Sequence, residues 1–205
     1  MSDNIYLSVV IPVYNEEENI AELSHRLTAV CRSLKLEYEI LFVDDGSSDG
    51  TREAVSKAQR SDARISAVSL ARNSGKAQAY SAGFAEAQGE IVITMDGDLQ
   101  DRPEQIPDFL RKMEEGYDLI TGWKYTGKGK RTWSSKAFNA LVRHWTKLDI
   151  HDTNCPFKAY RREVVKNLKV YGSLYRFIPA LAYWKGYRDR KSKRLNCSHR
   201  IRSRM

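Results

Sequence analysis

Residues 91–101 read IVITMDGDLQD, a run suited to a buried strand that passes straight into Asp96, Asp98 and Asp101. Like charges this close repel one another, and each resists losing its water. A hydrophobic strand that ends in crowded carboxylates implies something positive among them. Two earlier segments share the design. Residues 8–14, SVVIPVY, form a short apolar run leading into Asn15 and Glu16, and residues 38–43, YEILFV, lead into Asp44-Asp45-Gly46.

Helical patterns separate these strands. From Asn19 to Leu34 the apolar positions 20, 23, 27, 30, 31 and 34 fall on one helix face. Ser48 or Asp49 suits the cap of a helix running to about Arg60. A strand at 65–70 is followed by an Ala-rich helix through 77–87. Pro103 fits the first turn of a helix over 103–115, with Ile106, Phe109, Leu110 and Met113 inward. A fifth strand lies at 117–122. Repeated strand–helix alternation predicts an α/β fold, a Rossmann-like, mostly parallel central sheet with helices on both faces. Ligands of such sheets bind at the carboxyl ends of the strands. Tyr14-Asn15-Glu16, Asp44-Asp45-Gly46 and Asp96-Gly97-Asp98 are therefore expected on one rim.

Beyond residue 123 the pattern changes. Residues 124–133 are basic with two glycines and read as a loop; 134–147 read as a helix, 151–160 as a polar turn, and 163–168 and 172–184 as helices. The catalytic unit is expected to span 1–187. Residues 188–205 read as a basic tail, disordered or non-native. It holds eight basic residues and one acid, so it carries most of the net charge of +8 and leaves the body nearly neutral. The global charge is thus no argument for a nucleic-acid partner. No apolar run approaches the roughly 18 residues of a membrane span. The first residues lack the pattern of a signal peptide. A cytoplasmic protein, peripheral at the inner face of a membrane, is expected. Three dispersed cysteines suggest neither a disulfide framework nor a zinc site.

Asp96 and Asp98, two apart on an extended chain, point the same way. Gly97 between them permits close approach to the backbone. With the Gln100 amide they form a hard oxygen set suited to Mg²⁺ or Mn²⁺, ions that keep positions open for substrate phosphates. Asp101 reads as favouring the start of the following helix. Lys76 stands at a helix N-terminus, placed to meet a phosphate or simply solvated. Tyr14 suits stacking on a base or packing; Asp44 and Asp45 suit ligand contact or the turn before Gly46.

VVIPVYNEEENI, EILFVDDGSSDGT and ARNSGKAQAYSAGFAEAQGEIVITMDGDLQDRPEQIP resemble, in order and spacing, glycosyltransferase family 2, inverting enzymes of GT-A fold. DGDLQD and DTNCPFKAYRREV are most similar to the dolichyl- or polyprenyl-phosphate sugar synthases of that family. The resemblance implies roles. Pro12, Tyr14 and Glu16 would hold the nucleoside, and Asp44 and Asp45 would contact base and ribose. Asp96, Asp98 and Gln100 would approach the metal and donor diphosphate. Lys124 would stand near the diphosphate. Arg131, Asp152 and Lys158 would lie on the acceptor side.

The expected reaction moves a sugar from GDP-mannose or a UDP-hexose to a polyprenyl or dolichyl phosphate with inversion. A phosphate oxygen is already anionic, so the site must supply positive charge rather than a strong base. Asp98 would hold the ion, and Lys124 with the loop around Arg131 would close over the donor. Two alternatives stay open: transfer to a hydroxyl, with Asp152 as base, and a catalytically silent nucleotide-sugar module. Neither the oligomeric state nor the nucleobase is specified.

Overall fold

The computed structural model describes residues 4–123, 155–168, 175, 177–187 and 189–196. The strands are β1 (Leu7–Val13), β2 (Tyr38–Asp44), β3 (Ile65–Ser69), β4 (Ile91–Thr94), β5 (Leu119–Trp123), β6 (Lys158–Arg161) and β7 (Asp189–Asn196). They form one sheet in the order β3-β2-β1-β4-β6-β5-β7. All the pairings are parallel except those of β6, which runs antiparallel to both β4 and β5.

Every residue of β1, β2 and β4 is buried. This is the signature of strands covered on both faces. Alternate side chains feed two cores. Leu7, Val9, Ile11, Tyr38, Ile40, Phe42, Ile91 and Ile93 pack beneath α1 (Glu17–Ser33), α2 (Thr51–Ser61) and α4 (Ile106–Glu114). Val10, Leu41, Val43 and Val92 face α3 (Lys76–Glu86), α5 (Arg162–Asn167) and α6 (Ile178–Trp184). Cys31 lies inside the first core, where burial pushes its thiol up to about 12. No helix among the described residues is long and apolar enough to cross a membrane.

Several boundaries differ from the sequence reading. The helix expected from Pro103 begins as one 3-10 turn, Pro103–Gln105, before α4. Residues 158–160, expected within a polar turn, are strand. The four-residue β6 closes the gap between β4 and β5 through backbone pairing, so it needs no apolar alternation of its own. Residues 189–196, expected as disordered or non-native tail, form β7, paired parallel with β5. β7 is the outermost strand, and edge strands are commonly charged. The sheet thus continues past the expected boundary at 187. The loop expected at 124–133 and the helix at 134–147 lie outside the described residues.

Candidate functional site

The carboxyl ends of β1, β2 and β4 meet at a cavity of about 300 Å³ lined by Pro12, Val13, Tyr14, Glu16, Asp45, Asn73, Gly75, Lys76, Asp96, Gly97 and Asp98. The three polar strand ends do gather on one rim.

The rim is laced by short contacts between loops. Asn15, in the left-handed region at φ 54°, donates its N–H to Ser47 Oγ at 3.0 Å, and its Oδ1 accepts from Ser48 N at 2.9 Å. The Glu16 N–H donates to Thr51 Oγ1 at 2.9 Å. The cap position of α2 is Gly50, not Ser48 or Asp49, and Asp49 supports the helix start from one residue earlier, its Oδ1 accepting from Thr51 N at 3.0 Å. Gly46 is required by both conformation and space. Its φ is +74°, and a Cβ there would sit 2.5 Å from the Arg72 carbonyl carbon. The β2–α2 loop therefore lies directly on the loop that precedes α3.

The two adjacent aspartates at the end of β2, Asp44 in the strand and Asp45 just beyond it, do different work. Asp45 lines the cavity and accepts Ser74 N at 2.7 Å and Gly75 N at 2.9 Å, fixing the approach to α3. Asp44 is not among the lining residues. Its carboxylate accepts Ser47 N at 2.9 Å and Arg52 Nε at 2.6 Å. Burial alone would raise the Asp44 carboxyl, but the hydrogen bonds from Ser47 and Arg52 outweigh it and hold it below the ordinary carboxylate value.

At the end of β4 the chain folds tightly on itself. Asp101 is fully buried, and its Oδ2 accepts the Asp96 N–H at 3.1 Å. Asp98 Oδ1 accepts Gln100 N at 3.0 Å, and Leu99 between them has φ 59°. A non-glycine residue in that region costs energy and is retained where the surroundings over-determine it. Gly97 is buried, and a Cβ there would lie 2.8 Å from Val13 Cγ1. That glycine lets the carboxylate loop close onto the end of β1. Asp101 thus shapes the loop, whereas Asp96 and Asp98 line the cavity.

Among the described residues, four carboxylates, Glu16, Asp45, Asp96 and Asp98, share this cavity with one cationic side chain, Lys76, whose Nζ lies 2.6 Å from Asp96 Oδ1. The donor set fits a divalent cation: hard oxygens in negative excess at a strand end. Among the described residues no group of three or more acid, His or Cys side chains could hold a metal unaided. Two carboxylates alone leave coordination positions for phosphate oxygens, as Mg²⁺ sites commonly do. Gln100 is exposed and is not among the lining residues; its backbone supports Asp98.

Lys158 opens β6 and sits opposite Thr94 at the end of β4. It is 4% exposed, and its ammonium donates to the Cys155 carbonyl. It lines a second cavity next to the first. Lys124, Arg131 and Asp152 lie outside the described residues. The sequence reading missed Asn73 and Gly75. They follow β3, to which the strand-end rule applies equally.

The profile of glycosyl transferase family 2 matches residues 8–169. An undecaprenyl-phosphate 4-deoxy-4-formamido-L-arabinose transferase of Pseudomonas fluorescens is 41% identical over 180 residues, 86% of this chain and 53% of that protein. A protein of the same description from Salmonella enteritidis is 41% identical over 179 residues, 86% of this chain and 55% of that protein. The chain spans about half the length of these relatives. Among solved structures, a mannosyltransferase of Pyrobaculum calidifontis in complex with GDP-Man and Mn²⁺ superposes with TM-score 0.73 at 19% identity, covering 99% of this chain and 59% of that one. S. aureus TarS in complex with UDP-GlcNAc superposes with TM-score 0.61 at 22% identity, covering 93% of this chain and 59% of that one. The fold is GT-A, as the sequence resemblance implied.

Proposed function

The chain belongs to glycosyl transferase family 2, and from that premise we propose that it transfers a sugar from a nucleotide-sugar donor to a polyprenyl phosphate, with a divalent cation in the donor site. One observation carries the donor half of this reading. The ends of three parallel strands bring an exposed aromatic, Tyr14, and the Asp96–Gly97–Asp98 pair to one cavity. Relatives named as undecaprenyl-phosphate sugar transferases support the acceptor half. Neighbours solved with GDP-Man and with UDP-GlcNAc leave the base open.

Asp96 and Asp98 would hold Mg²⁺ or Mn²⁺, which would supply positive charge against the donor diphosphate. Tyr14, 44% exposed at the mouth, offers its ring to a base. Pro12 and Glu16 line the same wall. Asp45 keeps Ser74 and Gly75 in place, so that the first turn of α3 faces the phosphates with its N–H groups. Lys158 brings a buried cation to the acceptor side. The acceptor phosphate is anionic at neutral pH, so the groups that matter are those that gather charge and exclude water, not a proton acceptor. Attack by a phosphate oxygen on the anomeric carbon expels the nucleoside diphosphate and inverts that carbon. Activity at a membrane surface follows from the acceptor's chain.

The test is thermal unfolding with UDP, GDP, CDP and dTDP, each with and without Mn²⁺, on wild type and Asp98→Asn. A ligand that binds the folded state alone raises the midpoint. One nucleotide is expected to stabilise wild type only with Mn²⁺, and Asp98→Asn to lose that gain. No shift with any nucleotide in a folded sample overturns the donor reading.

A further inference from the structure

Lys76 belongs to two cavities. Besides the donor rim, it lines a second space of about 330 Å³ with Tyr80, Thr94, Lys158, Tyr160 and Tyr175. Among the described residues no other lines both. The characters of the two differ. The described lining of the donor rim holds four carboxylates. The described lining of the second cavity holds two lysines, hydroxyls and aromatic rings, and no carboxylate. Burial, with the nearby Asp96 charge, pushes the Tyr80 phenol well above its ordinary value, so that group stays a neutral hydroxyl. Such a lining suits an anionic headgroup joined to an apolar chain.

In the present arrangement Lys76 serves the donor rim. Its ammonium is 2.6 Å from Asp96 Oδ1, with the two side chains 35% and 18% exposed. An ammonium on Asp96 occupies the electrostatic place that a divalent cation would take. The two compete for one carboxylate. Lysine is a compact charge on a flexible four-carbon stem, so a rotamer change is enough to turn it from one cavity to the other.

Resting on the donor and acceptor reading above, we propose that Lys76 is an exchangeable counterion. It neutralises Asp96 while the donor site lacks a divalent cation, releases Asp96 when the cation arrives, and then joins Lys158 in binding the phosphate of a prenyl phosphate in the second cavity. The acceptor pocket thereby gains its second positive charge only after the donor site is loaded. The coupling is reciprocal: the cation strengthens acceptor binding, and acceptor strengthens cation binding by the same factor. Lys76 acts here as a positioning and binding residue and takes no part in bond making.

The test reads Mn²⁺ binding without nucleotide, by the electron paramagnetic resonance signal of free Mn²⁺. Lys76→Met removes the competitor, and its Mn²⁺ affinity is expected to rise about five-fold or more. Lys76→Arg, whose fork holds a carboxylate with two hydrogen bonds, is expected to bind Mn²⁺ more weakly than wild type. Farnesyl phosphate, titrated calorimetrically with Mn²⁺ and nucleoside diphosphate present, should bind Lys76→Met about ten-fold more weakly than wild type. Unchanged or weaker Mn²⁺ binding by a folded Lys76→Met, with Asp98→Asn still losing Mn²⁺, overturns the exchange and leaves the donor reading standing. Should Lys76→Met fail to fold, Lys76→Arg binding Mn²⁺ as tightly as wild type, or more tightly, overturns it alone. Absence of Mn²⁺ binding by every variant, with and without nucleotide, overturns both.

Discussion

The two cavities that meet at Lys76 are built differently. The donor rim uses parallel strands. β1, β2 and β4 each end there; the loops after β1 and β2 have backbone N–H groups held by each other's side chains, and the loop after β4 is held by its own Asp98 and Asp101. The second cavity depends on a reversal. β6 runs antiparallel to β4, so its first residue, Lys158, arrives beside Thr94, at the end where the parallel strands finish. One inverted strand thus delivers a basic residue to a rim otherwise supplied with acids. A parallel sheet alone places strand ends there; the inverted strand adds a strand beginning.

The sharpest way to break this division is to neutralise a rim carboxylate. Asp98→Asn is expected to lower sugar transfer about 100-fold or more, the scale of losing one transition-state charge contact. Unfolding without ligand should change little, since Asp98 Oδ1 accepts one N–H that an amide oxygen also accepts. Rate measurements beside ligand-free melts check both halves. Unchanged transfer would remove the rim from the chemistry.

Next in size is Gly46→Ala. The added methyl would lie 2.5 Å from the Arg72 carbonyl carbon and 2.6 Å from Asn73 N, at φ +74°. Backbone cannot yield as a side-chain tip does, so a loss of about 2–3 kcal/mol in denaturant unfolding is expected. A change below about 0.5 kcal/mol, the size of an ordinary surface substitution, would mean that the two loops are not in register.

What the sequence discloses tracks the same division. β1, β2 and β4 are legible because burial on both faces demands continuous apolar runs, and the strand-end rule then places Asp45, Asp96 and Asp98 together. β6 is not legible. Its four residues KAYR begin and end with charge. Lys158 is buried there with its ammonium on the Cys155 carbonyl, a contact between residues three apart that no periodicity announces. β7 is hidden for a related reason: edge pairing uses the backbone and tolerates a charged sequence. Asp44 and Asp45 look equivalent as letters. The hydrogen bonds of Arg52 and of Ser74–Gly75 separate them, and those partners lie 8 to 30 residues away.

That separation has a pH signature. Asp44 lies below the ordinary carboxylate value in the folded state. A group depressed on folding stabilises fully above its unfolded value of about 3.9 and loses that contribution as pH falls through its folded value. Asp44→Asn is therefore expected to cost about 1–2 kcal/mol at pH 7, and the gap from wild type should close as the pH falls below 4. Chemical denaturation from pH 7 to 3 checks this. A gap independent of pH would mean that Asp44 acts only through shape.

The smallest effect expected belongs to the wall of the second cavity, and it shows whether the two cavities are separable. Thr94 is 1% exposed, and its Oγ1 donates to the Pro156 carbonyl at 2.7 Å. That bond ties the end of β4, which leads to the rim carboxylates, to the segment that leads into β6. Thr94→Val keeps the volume, removes the donor and leaves the carbonyl without this partner. A stability loss of about 1 kcal/mol is expected. Binding should divide. Nucleotide with Mn²⁺ should bind as in wild type, because Asp96 is also fixed by Asp101, whose Oδ2 accepts its N–H. Farnesyl phosphate should bind several-fold more weakly, because Pro156 and Lys158 share the wall that shifts. Titrating each ligand separately checks the division. Equal weakening of both would show that Thr94 fixes the rim through β4, and that the two cavities are one mechanical unit.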